Sequence, residues 1–196
     1  PIEDVARITS LNAWRLFGIG KVDQSTRIAY VIRNSLYLNI TNRCTNSCTF
    51  CAKFNDFTVK GHQLCLEREP SVEEVMNAIG DPSLYDEVVF CGYGEPLLRL
   101  DLVKEVAGAM KQRDITVRIN TDGQANLVHH RNILPELAGL VDSISVSLNA
   151  PDAETYQKIC CSEFGEQGYA ALKDFLLEAK RLIPSVTATA VTLPGI

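Results

Sequence analysis

Short runs rich in β-branched and aromatic residues alternate with longer segments of helical periodicity along most of this chain. Strands that alternate with helices in this way predict βαβ units and a parallel sheet. A closed (β/α)₈ barrel needs about 250 residues, so the 196 residues here predict an α/β fold with an open, partial parallel (β/α) barrel of about five βα units. The predicted strands are SLYLNIT (35–41), EVVFC (87–91), ITVRIN (115–120), SISVSL (143–148) and VTATAVTL (186–193).

Helix boundaries are marked by residues that cap or interrupt helices. Ser71 with Glu74 forms the pattern of a capping box, which predicts the start of a helix that continues toward Ile79. Asp152 is a predicted N-cap for a shorter helix. Residues 127–140 read as one helical segment that Pro135 should kink or divide, because proline removes a backbone donor.

The composition restricts the classes of function. No apolar run approaches the roughly 18 residues of a membrane span and the N-terminus has no signal-peptide pattern, so we expect a cytoplasmic protein without membrane contact. The net charge of −5 argues against binding nucleic acid by charge alone. In a reducing compartment, the seven cysteines are expected to bind metal, to act in catalysis or to be buried thiols.

Three of these cysteines, Cys44, Cys48 and Cys51, lie within eight residues directly after the first predicted strand. Sulfur ligands select zinc or an iron–sulfur cluster. Three thiolates on a four-iron cluster would leave one iron open to another ligand, whereas a structural zinc site would be closed, with His62 as the fourth ligand. Unliganded buried thiols are the third possibility that the spacing allows.

The C-x₃-C-x₂-C spacing, with Phe50 before the third cysteine, resembles the signature of the radical S-adenosylmethionine (radical SAM) superfamily. The resemblance implies a [4Fe–4S] cluster on Cys44, Cys48 and Cys51, whose open iron binds S-adenosylmethionine. The reduced cluster would cleave that cofactor to methionine and a 5′-deoxyadenosyl radical that abstracts a substrate hydrogen. Phe50 would lie beside the adenine, and the electron would come from a reductant such as flavodoxin or ferredoxin.

A glycine-containing turn follows the second predicted strand. Glycine permits close backbone approach to a ligand, although a plain tight turn has the same pattern. The segment Gly92-Tyr93-Gly94-Glu95 resembles the Gly-Gly-Glu motif of the superfamily, with Tyr93 in place of the commonest glycine. The resemblance implies that these four residues hold the methionine amino group of the cofactor.

The third predicted strand ends in polar residues, which supply donors and acceptors at the carboxyl edge of a parallel sheet. The resemblance favours Asn120 as a contact to the methionine end of the cofactor, with Thr121 and Asp122 nearby. Arg118, on the same strand, is a candidate contact for an anionic substrate.

The fourth predicted strand alternates serine with apolar residues from 143 to 147, so its hydroxyls share one face. Hydroxyls inside a barrel favour a polar ligand. Ser147 and Asn149, near the carboxyl end, are assigned to the ribose and carboxylate of the cofactor, and Val191 on the last strand to the side of the adenine.

The N-terminal helical pattern, Glu3 to Phe17, includes a T-x-x-N-A-x-x-x-F-G string from Thr9 to Gly18. This string resembles the last helix of TatD-family metal-dependent hydrolases, and Ser35 to Cys44 resembles the TatD-linked radical SAM subgroup. The resemblance implies that residues 1–26 are the C-terminal helix remnant of a TatD-like hydrolase domain plus linker. Residues 27–196 would then be the radical SAM core, truncated at its C-terminus, and this piece should have no nuclease activity.

Together these features predict a radical SAM enzyme whose substrate is an unknown small molecule, peptide or nucleic acid, in a chain fused to a TatD-like hydrolase. Two alternatives remain open. One is a non-catalytic α/β scaffold stabilised by zinc. The other is an iron–sulfur electron-transfer module in which Cys65 or Cys91 supplies the fourth ligand.

Overall fold

The computed structural model describes residues 2–21, 25–54 and 58–192, and these form eight strands and seven α-helices. The main sheet has the strand order β1-β2-β5-β6-β7-β8, and β3 with β4 forms a separate hairpin. In chain order the strands are β1 (Ala29–Ile32), β2 (Ser35–Leu38), β3 (Thr58–Val59), β4 (His62–Gln63), β5 (Glu87–Phe90), β6 (Val117–Thr121), β7 (Ser143–Ser147) and β8 (Ser185–Thr189).

The five predicted strands are present as β2, β5, β6, β7 and β8, and each pairs in parallel with its neighbours in this series. The carboxyl ends of these strands therefore lie along one edge of the sheet, as in a partial (β/α) barrel. The sequence analysis missed β1, which pairs antiparallel with β2 through the short turn around Arg33 and Asn34. β1 covers one edge of the sheet, and β8 forms the other.

The helices follow the capping signals. Ser71 makes both hydrogen bonds of the capping box with Glu74, and Asp152 caps its helix through the Thr155 N–H, so both predictions are confirmed. The predicted helix at 127–140 is divided in two, with Pro135 in the first turn of the second piece, where its missing N–H costs little. The helices are α1 (Ile2–Phe17), α2 (Val72–Ile79), α3 (Leu100–Lys111), α4 (Ala125–His129), α5 (Leu134–Leu137), α6 (Ala153–Cys160) and α7 (Glu166–Leu182).

The two faces of the sheet differ in chemistry because side chains alternate along each strand. One face packs against the helices and forms the core, with Phe90, Ile119 and Ile144 among its buried members. The other face, here called the inner face, includes Arg118 on β6 and Ser145 on β7, both half-buried. The predicted alternation of hydroxyls on the fourth predicted strand is thereby confirmed.

The last strand ends earlier than predicted. β8 stops at Thr189, whereas the apolar pattern extended the strand to residue 193. The neighbouring strand β7 ends at Ser147, opposite Thr189, so the ladder between β7 and β8 does not continue beyond this pair. Residues 193–196 lie outside the described part of the chain.

Helix α1, predicted from Glu3 to Phe17, packs beside the hairpin. Leu11 is buried, and the Arg7 guanidinium donates to the Lys60 carbonyl at 2.9 Å. None of the helices in the described part of the chain combines the length and apolarity that a bilayer span requires.

Candidate functional site

The three clustered cysteines lie on a loop that follows β2, here called the cysteine loop (residues 39–51), at the carboxyl edge of the sheet. Asn39 anchors the start of this loop. Its side-chain amide donates to the carbonyls of Arg27, at 3.1 Å, and Leu64, at 2.7 Å, while its Oδ1 accepts the Tyr93 N–H at 3.3 Å. Because Asn39 is fully buried, these bonds hold the loop firmly against β1 and the turn after β5.

The three thiols have different surroundings. The Cys44 Sγ lies 3.9 Å from Asp122 Oδ2, and burial, together with the charge of Asp122, raises the pKa of this thiol. The neighbouring Cys160 side chain and burial raise the pKa of the Cys48 thiol. The Cys51 N–H donates to the Cys48 carbonyl at 3.0 Å in a tight turn.

The turn after β5, here called the glycine loop (residues 91–95), pairs with the cysteine loop through its backbone. The Gly94 N–H donates to the Thr41 carbonyl at 3.0 Å, and the Glu95 N–H donates to the Arg43 carbonyl at 2.8 Å. A methyl group on Gly94 would lie 2.5 Å from the Thr41 carbonyl oxygen, and one on Gly92 would lie 2.8 Å from Asn39 Cγ. The cysteine loop itself therefore occupies the space that the absent side chains of Gly92 and Gly94 leave open.

Glu95 and Asp122 form a buried pair of carboxyl groups between the two loops and the end of β6. Glu95 accepts hydrogen bonds from the Thr121 hydroxyl at 2.8 Å, the Asp122 N–H at 2.7 Å and the Leu97 N–H at 3.0 Å. Asp122 accepts the hydroxyl of Thr45 from the cysteine loop. Burial and the repulsion between the two groups raise the pKa of Glu95 well above its usual range.

Tyr93, whose role the sequence left open, points its ring into a small apolar cluster on the inner face. This cluster includes Tyr30 of β1 and Leu64, and Tyr93 is 7% exposed within it. Tyr93 therefore packs the glycine loop against β1, which explains why this position can depart from glycine.

Asn120 belongs to a polar network on the inner face. Its Oδ1 accepts a hydrogen bond from Arg118 at 2.8 Å. Burial raises the pKa of the nearby Cys91 thiol, and the Asn120 side chain opposes that rise. Arg118 makes a two-point ion pair with Glu87, at 3.0 and 2.7 Å, and reaches the Tyr37 hydroxyl at 3.2 Å. Glu87 balances the charge of Arg118, and Arg118 orients Asn120. A contact between Arg118 and an anionic substrate stays a prediction.

Ser147, Asn149 and Val191 meet where β7 and β8 end. Ser147 lies opposite Thr189, and Asn149 follows it with a left-handed backbone, at φ 58°. The Asn149 Oδ1 accepts the Val191 N–H at 3.3 Å, and its amide donates to the Cys160 sulfur at 3.7 Å. Asn149 therefore joins the ends of β7 and β8 to the end of α6.

Comparison with known proteins identifies the family. Residues 38–196 match the family model of the Radical SAM superfamily, a match that starts at the end of β2 and includes the cysteine loop. The chain belongs to the radical SAM superfamily. Members of this superfamily bind a [4Fe–4S] cluster and S-adenosylmethionine.

Two curated radical SAM relatives are similar to the chain. It is 29% identical over 150 residues to a putative glycyl-radical enzyme activating enzyme of Methanocaldococcus jannaschii, covering 76% of this chain and 56% of that protein. It is 28% identical over 133 residues to a probable GTP 3′,8-cyclase of Methanocella arvoryzae, covering 67% of this chain and 40% of that protein. The chain thus spans about half the length of the curated relatives it matches.

Among solved structures, TYW1 with a lysine–pyruvate adduct bound superposes with a TM-score of 0.56. The superposition covers 94% of this chain and 64% of TYW1, at 14% sequence identity. This similarity supports the partial (β/α) barrel and nothing finer.

The donor chemistry of the cysteine loop fits an iron–sulfur cluster. Three thiols stand on one loop of a radical SAM fold, and all three are half-buried. Carboxyl groups and burial disfavour the bare thiolate of Cys44, so a positively charged metal centre is what would compensate it. Within residues 2–21, 25–54 and 58–192, no three metal-ligating side chains already converge on one point.

His62, the fourth ligand in the zinc alternative, is engaged elsewhere. Its Nε2 lies 3.2 Å from the Val31 carbonyl oxygen, and its ring contacts the Tyr30 ring in a tilted arrangement at a centroid distance of 5.3 Å. Phe50, expected beside the adenine, is half-buried and packs on the edge of the core.

Sequence reasoning missed a buried polar cluster beneath the cysteine loop. The Asn46 amide donates to the Tyr156 hydroxyl at 2.9 Å, and the Gln124 amide donates to the Asn46 Oδ1 at 2.8 Å. The sequence gives little indication of this cluster, because Asn46 reads only as a residue that separates Cys44 from Cys48. These residues hold the middle of the loop against α4 and α6.

Proposed function

We propose that this chain is the catalytic core of a radical SAM enzyme that holds a [4Fe–4S] cluster on Cys44, Cys48 and Cys51. The observation that supports this most directly is the pairing of the cysteine loop with the glycine loop at the carboxyl edge of the sheet. In parallel α/β folds this edge is where ligands bind. The cluster would supply the electron that cleaves S-adenosylmethionine to methionine and the 5′-deoxyadenosyl radical.

The glycine loop would hold the methionine end of the cofactor. An amino group donates hydrogen bonds, so the backbone groups of this loop that would bind it are the carbonyls of Gly92, Tyr93 and Gly94, while the N–H groups of Gly94 and Glu95 donate to the cysteine loop. The Glu95 carboxyl group, held by hydrogen bonds from the Thr121 hydroxyl and the Asp122 and Leu97 N–H groups, would lie beside the same amino group. Asn120, oriented by Arg118, would contact the same end.

Residues at the ends of β7 and β8 would hold the other half of the cofactor. We assign Ser147 and Asn149 to the ribose and carboxylate, and Val191 to the adenine. The hydrogen bond between Asn149 and Val191 supports a common role for these two residues. We also assign Phe50 to the adenine side, where its half-buried ring could offer an apolar surface.

For the substrate and the protein partners we propose only classes of molecule. A reductant such as flavodoxin or ferredoxin would deliver the electron, and the cytoplasm would be the location. The substrate could be a small molecule, a peptide or a nucleic acid. The glycyl-radical enzyme activating enzyme supports a peptide-type substrate, and the GTP 3′,8-cyclase supports a nucleotide.

We further propose that residues 1–26 derive from the last helix of a TatD-like hydrolase domain and that the chain is of the TatD-linked radical SAM subgroup. The family match starts at residue 38, and α1 exposes large apolar side chains such as Leu16 and Phe17, at 75% and 73%. The natural open reading frame tests this, since an upstream hydrolase must encode its own metal-ligating histidines and carboxylates. The chain alone should show no nuclease activity.

Anaerobic reconstitution with iron and sulfide tests the cluster assignment. We expect about four irons and four sulfides per chain, and loss of both when Cys44, Cys48 or Cys51 is replaced by alanine. Cys161→Ala is the matched control, because Cys161 is exposed and its thiol lies near the Lys158 carbonyl. Stoichiometric zinc without sulfide, or equal loss in the control, contradicts the assignment.

Cofactor binding is tested on the same samples. S-adenosylmethionine should change the electron paramagnetic resonance spectrum of the reduced cluster, because its amino and carboxylate groups would replace solvent on the open iron. An unchanged spectrum at saturating cofactor would instead favour the electron-transfer module.

A further inference from the structure

Cys160, at the C-terminus of α6, lies beside the cysteine loop although it is 112 residues away from Cys48 in the sequence. Its side chain is fully buried, and its sulfur accepts a hydrogen bond from the Asn149 amide at 3.7 Å. The proposed cofactor contacts do not include Cys160, so its position requires another explanation.

The backbone of the cysteine loop runs antiparallel to the end of α6 and the residues after it. A β-bridge joins Asn46 to Ser162, and the Thr49 N–H donates to the Ile159 carbonyl at 2.8 Å. The Ser47 N–H is shared between the carbonyls of Cys160, at 3.0 Å, and Cys161, at 3.3 Å. The bridge, the Thr49 bond and the bond from Ser47 to Cys161 share one register. In that register Cys48 comes directly opposite Cys160, between two hydrogen-bonded pairs.

This placement suits a covalent link between the two sulfurs. In antiparallel strands, residues directly opposite each other have Cα atoms about 4.5–5.5 Å apart. Here the backbone hydrogen bonds of Ser47 and Thr49, on both sides of Cys48, bring it next to Cys160, the last residue of α6. Disulfides span Cα distances of about 4.4–6.8 Å. The Cys160 side chain also raises the pKa of the Cys48 thiol, which agrees with this placement of the two residues.

The other two cysteines of the loop are placed differently. Cys44 directs its sulfur to Asp122, at 3.9 Å, and Cys51 contacts Cys48 through its backbone N–H. Cys160 is therefore the sulfur partner that the fold presents to Cys48.

We propose that Cys48 and Cys160 form a disulfide when the cluster is absent and a low-molecular-weight disulfide such as oxidised glutathione is present. Cys48 is the more accessible thiol, so it would react first, giving a mixed disulfide and one reduced glutathione. The Cys160 sulfur would then attack the Cys48 sulfur and release the second glutathione. Two thiols are oxidised, and one glutathione disulfide takes up the two electrons and two protons.

The disulfide would regulate cluster loading, and this consequence rests on the proposed function. Cys48 cannot bind iron while its sulfur is bonded to Cys160. The oxidised chain would therefore take up no cluster until a thiol reductant restores both thiols, and a loaded cluster would protect Cys48 from the reaction.

Peptide mapping of the full chain under non-reducing conditions tests the disulfide itself. The cluster-free protein is treated with oxidised glutathione, then alkylated and digested. We expect the Cys48–Cys160 link to exceed any other cross-link by about tenfold, because the fold holds these sulfurs together. Cys161→Ser should form the same link. Cys160→Ser should instead retain glutathione on Cys48.

Equal amounts of Cys48 linked to Cys44 or Cys51, or no link to Cys160 in the native chain, would overturn the proposal. The mapping of the native chain decides this even if Cys160→Ser folds poorly. A parallel sample loaded with iron and sulfide separates the two proposals. If the link forms in the cluster-free chain and loading gives no protection, the disulfide stands and Cys48 is not a cluster ligand.

Discussion

Replacing Gly94 by alanine should disrupt the contact between the glycine loop and the cysteine loop. The added methyl group would lie 2.5 Å from the Thr41 carbonyl oxygen and would also overlap the Arg43 carbonyl oxygen. Both are backbone atoms, so no side-chain rotation can relieve the overlap.

The size of the destabilisation depends on whether the two loops separate or stay in contact. If the loops separate, the hydrogen bonds from Gly94 to Thr41 and from Glu95 to Arg43 are lost, at about 1 kcal/mol each. If they stay together, overpacking of this kind costs about 1–3 kcal/mol. We therefore expect the free energy of unfolding to fall by about 2–3 kcal/mol, which corresponds to a melting temperature lower by roughly 4–12 °C for a chain of this size.

Urea unfolding followed by circular dichroism measures this change, with Gly108→Ala as the matched control. Gly108 lies inside α3, and a methyl group there meets only Leu140, at 4.0 Å. Alanine is the better helix former by up to about 1 kcal/mol, so the control should be as stable as the native chain or more stable. A Gly94→Ala protein with native stability would refute the described packing of the two loops.

Two further predictions concern the inner face and the cluster beneath the cysteine loop. The hydrogen bond and charge of Arg118 lower the pKa of Glu87, so this pair stabilises the fold above the ordinary glutamate pKa of about 4.3, and the stabilisation is lost as the pH falls through the lower folded-state pKa. Urea midpoints measured across this acid range should depend less on pH in Glu87→Gln. Tyr156→Phe should lower the free energy of unfolding by about 1–3 kcal/mol, because the Asn46 and Gln124 amides lose a buried acceptor. A urea midpoint equal to that of the native chain would contradict this role of the Tyr156 hydroxyl.

The sequence was sufficient to predict the parallel strands and the residues at which two of the helices begin. Alternating side chains identified the strand at 143–147, and the capping residues Ser71 and Asp152 identified two helices. These features are local, because a strand pattern or a cap is formed by residues a few positions apart. The cysteine spacing is local for the same reason, and it led to the radical SAM family that the comparison confirmed.

Contacts between distant segments could be determined only from the tertiary structure. β1 was missed because its place in the sheet depends on its partner β2 more than on its own short pattern. The burial of Glu95 against Asp122, the fit of Gly94 against the cysteine loop and the approach of Cys160 to Cys48 each join residues that are far apart in the chain. A residue pattern states which side chains are available, but the sheet register and the packing of loops decide which of them meet.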